Sequence, residues 1–104
     1  MKRSKYGAIK TEVDGFIFDS RKEAARYQEL KLLEMAGEIS HLELQPKLEI
    51  KVEGKHIANY IADFSYLDKN NVPVFEDVKG VKTTAYRIKK KLVEAIYKIK
   101  IEEV

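Results

Sequence analysis

The chain has 104 residues, of which 44% are hydrophobic and 36% charged, enough for the core of one domain but not of two. Its formal net charge is +3, and the absence of cysteine excludes disulfide scaffolds, cysteine nucleophiles and thiolate metal sites. No apolar run approaches the roughly 18 residues of a membrane-spanning helix, and no apolar segment follows the basic N-terminus as in a secretory signal. We therefore expect one cytoplasmic domain over residues 1–104 that does not enter a membrane.

Residues 1–8 hold three basic side chains and no core pattern, which predicts a mobile basic N-terminal arm. Segments 9–13 and 16–19 flank Asp14 and Gly15. Asp-Gly is favoured in the two-residue type I′ turn, because both of its positions need a positive φ. An N-terminal β-hairpin is therefore expected.

The first predicted helix begins at Ser20 and ends at Gly37. Ser20 is a natural N-cap, with Glu23 at the N3 position of a capping box, and Gly37 suits the left-handed residue that follows a helix. Glu23, Tyr27 and Leu30 fall at i, i+4 and i+7, so they share a stripe that faces the interior. Glu23 is thus either the partner in a capping box or an acid beside inward-facing residues.

Two predicted strands follow this helix. Apolar and charged residues alternate over 42–53, which is typical of a half-buried strand, and Pro46 on the apolar phase indicates an edge position or a bulge. A turn at 54–55 leads into 56–67, whose richer apolar content favours a more central strand.

A turn at 68–71 leads to a third strand over 72–79, so the second and third strands are expected to be antiparallel neighbours. Thr83 or Thr84 caps a second helix, and residues 98–104 can close the sheet as a last strand. The apolar stripe of that helix is Ile88, Leu92 and Ile96. The predicted fold is therefore α/β, with a mixed central sheet flanked by helices in the order hairpin, α, β, β, β, α, β.

Two acidic residues fall inside these predicted strands. Asp63 lies among apolar residues of the second strand, where an unpaired carboxylate costs several kcal/mol, and it could face Asp77 on the third strand. Two adjacent carboxylates repel each other unless a divalent cation lies between them. Mg²⁺ suits such a pair, with waters and phosphate oxygens completing its coordination.

Lys79 follows Asp77 by two positions, so both side chains are expected on the same face of the strand. Its ammonium could orient or deprotonate an attacking water, or neutralise charge that develops on a phosphate. Glu23 of the first helix offers a third acid, whereas Glu76 should point to the opposite face and is the weaker candidate ligand. Without Asp63, the Asp77 and Lys79 pair would simply suit a solvated ion pair.

From 79 to 91 the chain carries six basic residues and no acid. The N-terminus of the second helix and these cations could receive phosphates, although in most proteins such a run is a solvated helix face. The two histidines, His41 and His56, are expected at the surface without a role. The candidate DNA-binding residues are Lys82, Thr83, Thr84, Tyr86, Arg87, Lys89 and Lys90.

The order of Glu23, Asp63 and Asp77-Val78-Lys79 resembles the PD-(D/E)xK nuclease superfamily, whose restriction-endonuclease-like core has the element order α-β-β-β-α-β. The chain is more closely similar to a small phage-encoded family of Holliday junction resolvase and endonuclease type, which is also described as a domain of unknown function. The phrases that carry this resemblance are Lys5 to Ala8, Phe18 to Ala24, Leu44 to Lys47, Tyr60 to Phe64 and Glu76 to Thr83.

The resemblance implies hydrolysis of DNA phosphodiester bonds with Mg²⁺ or Mn²⁺. Ala62 stands where the name-giving pattern has proline, a variation that the superfamily tolerates. Gln45 is implied as a polar group that contacts the metal ligands rather than the metal. The implied metal ligands are Glu23, Asp63, Asp77 and the carbonyl of Val78, and the implied catalytic lysine is Lys79.

The leading hypothesis is a structure-selective or nonspecific endodeoxyribonuclease acting on branched or duplex DNA, in the host cytoplasm if the chain is phage-encoded. A Holliday junction resolvase must cut two strands symmetrically, which predicts a homodimer. The alternative is a non-catalytic nucleic-acid-binding module of phage replication or packaging, which has no need of buried like charges. A purely structural phage protein would leave Asp63 unexplained.

Overall fold

The structure is a computed structural model that describes residues 9–79 and 82–104. The predicted basic arm over 1–8 and the predicted strand end at Gly80 lie outside the described residues. The elements in chain order are β1 (Thr11–Val13), β2 (Phe16–Phe18), α1 (Arg21–Met35), β3 (Ser40–Leu44), β4 (Lys47–Val52), β5 (Lys55–Ile61), β6 (Phe64–Leu67), β7 (Pro73–Asp77), α2 (Thr84–Tyr97) and β8 (Ile101–Glu103).

The fold is mixed α/β, as predicted. β3, β6, β7 and β8 make a four-stranded sheet in that order, while β1 pairs with β2 and β4 pairs with β5 in separate two-stranded ribbons. β8 runs parallel to β7, whereas the other pairs are antiparallel. None of the helices within the described ranges is long and apolar enough to cross a membrane.

The N-terminal hairpin forms where it was predicted. Asp14 and Gly15 have φ values of 53° and 81°, the positive φ values that a type I′ turn requires, and Val13 pairs with Phe16 across the turn. The Tyr27 hydroxyl donates to Asp14 Oδ2 at 3.0 Å, so this turn is tied to α1.

Helix α1 begins and ends at its predicted signals. Ser20 Oγ accepts from the Glu23 backbone N–H at 3.0 Å, and Gly37 takes a φ of 78° after the C-cap. The buried stripe holds Glu23, Tyr27 and Leu30 together with Ala24. The reciprocal bond from the Ser20 backbone N–H to the Glu23 carboxylate is not formed among the described residues, so Glu23 does not complete a capping box.

The two long strands predicted over 42–53 and 56–67 are wrong in one respect, because each is broken in its middle. Gln45 takes a φ of 52° between β3 and β4, a left-handed conformation that non-glycine residues adopt at a cost. Pro46 follows it and cannot donate to a sheet. The hairpin therefore bends, and its outer half leaves the main sheet as the β4–β5 ribbon.

On the other arm of the hairpin, the bend falls at Ala62 and Asp63. The chain stays hydrogen-bonded across it, since Gln45 N–H donates to the Asp63 carbonyl at 2.9 Å and Ala62 N–H donates to the Pro46 carbonyl at 3.1 Å. Asp63 thus lies in the break between β5 and β6, not inside a continuous strand as predicted.

The break also joins two separate hydrophobic clusters. Phe64, fully buried, packs with Phe18 and Leu30 under α1, whereas Ala62, also fully buried, packs with Val93 of α2 and residues of the β4–β5 ribbon. Asp63 stands between these two neighbours, so the bend carries its carboxyl group to the boundary between the clusters.

Helix α2 is capped by Thr83, as predicted, with Thr83 Oγ1 accepting from the Tyr86 N–H at 3.1 Å. Of its predicted apolar stripe, the half-buried Leu92 alone packs against a hydrophobic cluster of the described residues. Val93 is the fully buried residue of this helix, while Ile88 and Ile96 are 54% and 42% exposed. The reason is that α2 packs against the β4–β5 ribbon, which the bend has moved out of the main sheet.

Candidate functional site

Asp63 and Asp77 lie side by side where the break meets the end of β7. Phe64 pairs with Glu76 in the β6–β7 register, so Asp63 comes opposite Asp77. The Asp63 N–H donates to Asp77 Oδ1 at 3.1 Å, and the Val78 N–H donates to Asp63 Oδ2 at 2.7 Å. Backbone donors therefore fix the orientation of both carboxyl groups through one oxygen each.

Asp77 is fully buried, and its Oδ2 has no hydrogen-bond partner in the described part of the chain. Leaving such an oxygen unsatisfied costs stability, so native proteins rarely do it without a functional reason. Burial raises the pKa of Asp77 to about 6, against the opposing effects of the Lys79 charge and the Asp63 N–H. The burial of the Asp77 carboxyl group therefore lowers the stability of the fold.

Glu23 comes to this region from the first turn of α1 and is 6% exposed. Burial, together with the negative charges of Asp63 and Asp19, raises its pKa to about 7, against the opposing effect of the Lys79 charge. Burial likewise raises the pKa of Asp63. Three carboxyl groups thus share one environment that disfavours their negative charge, which is the condition that a bound cation relieves.

A cavity of about 260 Å³ opens beside these groups. Glu23, Gln45 and Asp63 line it together with apolar residues of β2 and β3. Gln45 reaches the cavity because the bend in the hairpin begins at this residue. The structure thus brings the predicted supporting residue Gln45 next to two of the predicted ligands.

Lys79 follows the end of β7, and its Nζ lies 4.3 Å from the centroid of the Tyr86 ring, a cation–π contact that fixes the ammonium. Its charge lowers the pKa values of Glu23, Asp63 and Asp77. The four residues predicted to form the site therefore interact electrostatically with one another.

The three acids do not form a finished metal cage. Within residues 9–79 and 82–104, no three acidic or histidine side chains come close enough to hold a metal ion together. Asp63 and Asp77 nevertheless fit Mg²⁺, which one or two carboxylates with waters and phosphate oxygens often hold, and the unpartnered Oδ2 of Asp77 is a ready ligand. Glu23 and the Val78 carbonyl stay predicted ligands.

The predicted DNA-binding residues are less cationic as a group than the sequence suggested. Lys82 pairs with Glu103 at 3.1 Å and Lys90 pairs with Glu94 at 3.2 Å, while the Tyr86 hydroxyl donates to Glu103 Oε2 at 2.7 Å. The remaining candidates are the N-cap Thr83, the exposed Thr84 and Arg87, and the half-buried Lys89. The basic run is thus partly neutralised by acids from outside it.

Sequence reasoning missed one buried network next to the site. Arg26 Nε and Nη2 donate to the two carboxylate oxygens of Glu76 at 2.8 and 2.7 Å, and the Tyr66 hydroxyl donates to the same carboxylate. Glu76 is 1% exposed and faces α1, so the prediction that it points away from Asp77 is confirmed. The pairing residues are 50 positions apart, and no local pattern could have revealed them.

Comparison with known proteins places the chain in a family. The family model with the description "Protein of unknown function (DUF1064)" matches residues 3–103. No match was found among curated proteins or among solved structures.

Proposed function

The chain belongs to the DUF1064 family, and we propose that it is a Mg²⁺-dependent endodeoxyribonuclease with a restriction-endonuclease-like core. The observation that carries the proposal is the carboxyl pair of the half-buried Asp63 and the fully buried Asp77, with one oxygen of Asp77 unpartnered. Such a pair weakens the fold unless a cation neutralises it, so it supports a metal-dependent reaction.

Three acidic residues of the chain would bind the metal ion. Asp63 and Asp77 would hold the cation through the oxygens that backbone donors leave open, and Glu23 would contribute its carboxyl group from α1. A divalent cation bound there would withdraw charge from the scissile phosphate and lower the pKa of an attacking water. Manganese, which accepts the same oxygen ligands, should replace magnesium.

Lys79 would act on the phosphate. Its ammonium lies near all three carboxyl groups and is held against the Tyr86 ring, so it need not be reoriented when substrate binds. A fixed positive charge that meets charge developing on the phosphate stabilises the transition state more than the ground state.

The alternative, a non-catalytic nucleic-acid-binding module, is less well supported. A surface that only binds DNA presents cations to phosphates, whereas this site presents buried carboxyl groups. We further propose a homodimer, as expected if two strands are cut symmetrically; the exposed Ile88 and Ile96 of α2 offer apolar surface for it.

The test is to incubate the purified protein with branched, duplex and single-stranded DNA, with Mg²⁺, Mn²⁺ or EDTA. Cleavage is expected with either metal and not in EDTA, and Asp77→Asn should abolish it. Glu43→Gln, which removes an exposed acid of β3, is the matched control and should cut normally.

Two outcomes would contradict the proposal. If Asp77→Asn cuts like the wild type, the site is assigned to the wrong residues. If no DNA is cut with either metal but DNA is bound, the binding-module alternative is correct.

A further inference from the structure

The walls of the 260 Å³ cavity differ in chemistry. Glu23, Gln45 and Asp63 form a polar wall. The remaining, apolar wall consists of Phe16, Ile17, Phe18 and Leu44. A hydrated Mg²⁺ needs only oxygen ligands and water, so the apolar wall is unexplained by the metal and indicates room for a second kind of group.

Phe16 and Ile17 of β2 are the exposed part of this apolar wall, at 49% and 65% exposure. Neighbouring residues of a strand point to opposite faces, yet both contribute to the cavity. Both residues are therefore accessible to a ligand that enters the cavity.

The hairpin holds these side chains in place. Tyr27 of α1 anchors it, because its hydroxyl donates to Asp14 at 3.0 Å and its ring lies 5.0 Å from Phe18 and, edge-on, 6.0 Å from Phe16. The Phe16 ring is therefore braced on one side and open on the other. A platform fixed in advance loses little entropy when a ligand binds.

We propose that Phe16 and Ile17 form a subsite for one unpaired nucleobase next to the phosphodiester bond that is cut, an inference that rests on the proposed nuclease function. In a continuous duplex, neighbouring base pairs cover both faces of each base. A base at a branch, a bulge or in a single strand exposes a face that stacks on an aromatic ring. Phosphate and base of one nucleotide would thus meet the polar and apolar walls of one cavity, and the substrate class is DNA with an unpaired nucleotide.

The experiment compares single-turnover cleavage of a continuous duplex with that of the same duplex carrying one unpaired adenine. The wild type should cut the second substrate roughly tenfold faster, the size of effect that one base–aromatic stack gives. Phe16→Leu keeps apolar volume without the aromatic face, and Ile17→Ala removes a side chain that is mostly in solvent. Both variants should lose most of the preference, whereas Met35→Ala, 81% exposed on α1 and outside the cavity, should keep it.

Equal cleavage of both substrates by the wild type would overturn the subsite, and so would variants that keep the preference. If circular dichroism shows that Phe16→Leu is unfolded, Ile17→Ala decides alone. If the wild type cuts neither substrate, the nuclease proposal fails, and binding then tests the subsite with 2-aminopurine in place of the unpaired adenine. Quenching of its fluorescence by the wild type but not by the variants supports the subsite, and absence of quenching overturns it.

Discussion

Asp77 illustrates, at the scale of one residue, a group whose placement opposes stability. Its carboxyl group is fully buried with one oxygen unpartnered, and burial raises its pKa to about 6. Functional residues are often held in such unfavourable environments, and replacing them then stabilises the protein.

Asp77→Asn should therefore raise the Tm of the metal-free protein by a few degrees at pH 8, where the native carboxyl group is charged. The asparagine carbonyl can still accept from the Asp63 N–H. Thermal unfolding in EDTA, followed by circular dichroism, measures the effect. A Tm lower by more than about 5 °C, which corresponds to roughly 1 kcal/mol in a domain of this size, would show that Asp77 is structural.

Glu23 makes the metal-free protein sensitive to pH. Its native pKa of about 7 lies above the ordinary value of 4.5, so between these values the folded protein keeps a proton that the unfolded chain releases. Stability should therefore be highest below pH 4.5 with respect to this group and fall as the pH rises through 7. The loss is about 3 kcal/mol, because the two pKa values differ by about 2.5 and each pKa unit corresponds to 1.36 kcal/mol.

Urea unfolding in EDTA at pH 5 and pH 8 tests this expectation. Glu23→Gln should reduce the difference between the two pH values, and Mg²⁺ should stabilise the wild type more at pH 8, because metal binds the deprotonated carboxyl groups. A Glu23→Gln variant with the same pH dependence as the wild type would contradict the argument.

At the scale of the elements, the Arg26 and Glu76 pair fastens α1 to β7 directly beside the site. Arg26 makes bidentate hydrogen bonds of 2.7 and 2.8 Å to Glu76, which is almost completely buried. These bonds raise the pKa of Arg26. Because Glu23 lies on α1 and Asp77 on β7, this pair sets the distance between two of the proposed site residues.

Arg26→Met should lower the free energy of unfolding by about 3 kcal/mol, because it leaves the buried Glu76 charge without a cation and with the Tyr66 hydroxyl as its remaining side-chain donor. Arg21→Met, an exposed change on the same helix, should cost less than about 0.5 kcal/mol. The double variant Arg26→Met with Glu76→Gln should recover part of the loss. Urea unfolding at pH 7 gives all three values, and equal stability of both single variants would refute a structural role for the pair.

Local signals were enough to predict the N-terminal hairpin and both helices, but not the breaks in the two long strands or how the elements pack. Asp14-Gly15, Ser20 and Gly37 act through their own backbone angles and hydrogen bonds, so short stretches of sequence reveal them. The bend at Gln45 and Asp63 lies where both arms of one hairpin leave the main sheet, and the buried side of α2 depends on that bend. Pro46 indicated an edge or a bulge there, but not the change of sheet. Long-range contacts of this kind leave no periodic pattern in the chain.

For the candidate site, too, the sequence predicted which residues take part but not how they are arranged. The embedded Asp63 and the spacing of Asp77 and Lys79 identified residues that the structure brings together. That Glu23 lines the same cavity as Asp63 depends on where α1 packs. The partners of the basic residues were also hidden, because Glu103 pairs with Lys82 from the end of the chain.

At the scale of the whole molecule, charge controls how DNA would be bound. The net charge is only +3, and cations already paired with acids, such as Lys82 with Glu103 at 3.1 Å, release few counterions when they meet phosphates. The exposed Arg87 belongs to no ion pair among the described residues and should contribute fully.

We therefore expect Arg87→Gln to reduce the slope of log K against log salt for DNA binding by about 0.9, the contribution of one phosphate contact. Lys82→Gln should change the slope less, because this ammonium is shared with Glu103. Glu103→Gln should make the slope steeper and the affinity higher, since it frees Lys82 for a phosphate. Fluorescence anisotropy of labelled DNA over a series of salt concentrations measures these slopes with Asp77→Asn as the parent protein, so that cleavage does not interfere. Equal slopes for Arg87→Gln and its parent would place the DNA on another face of the molecule.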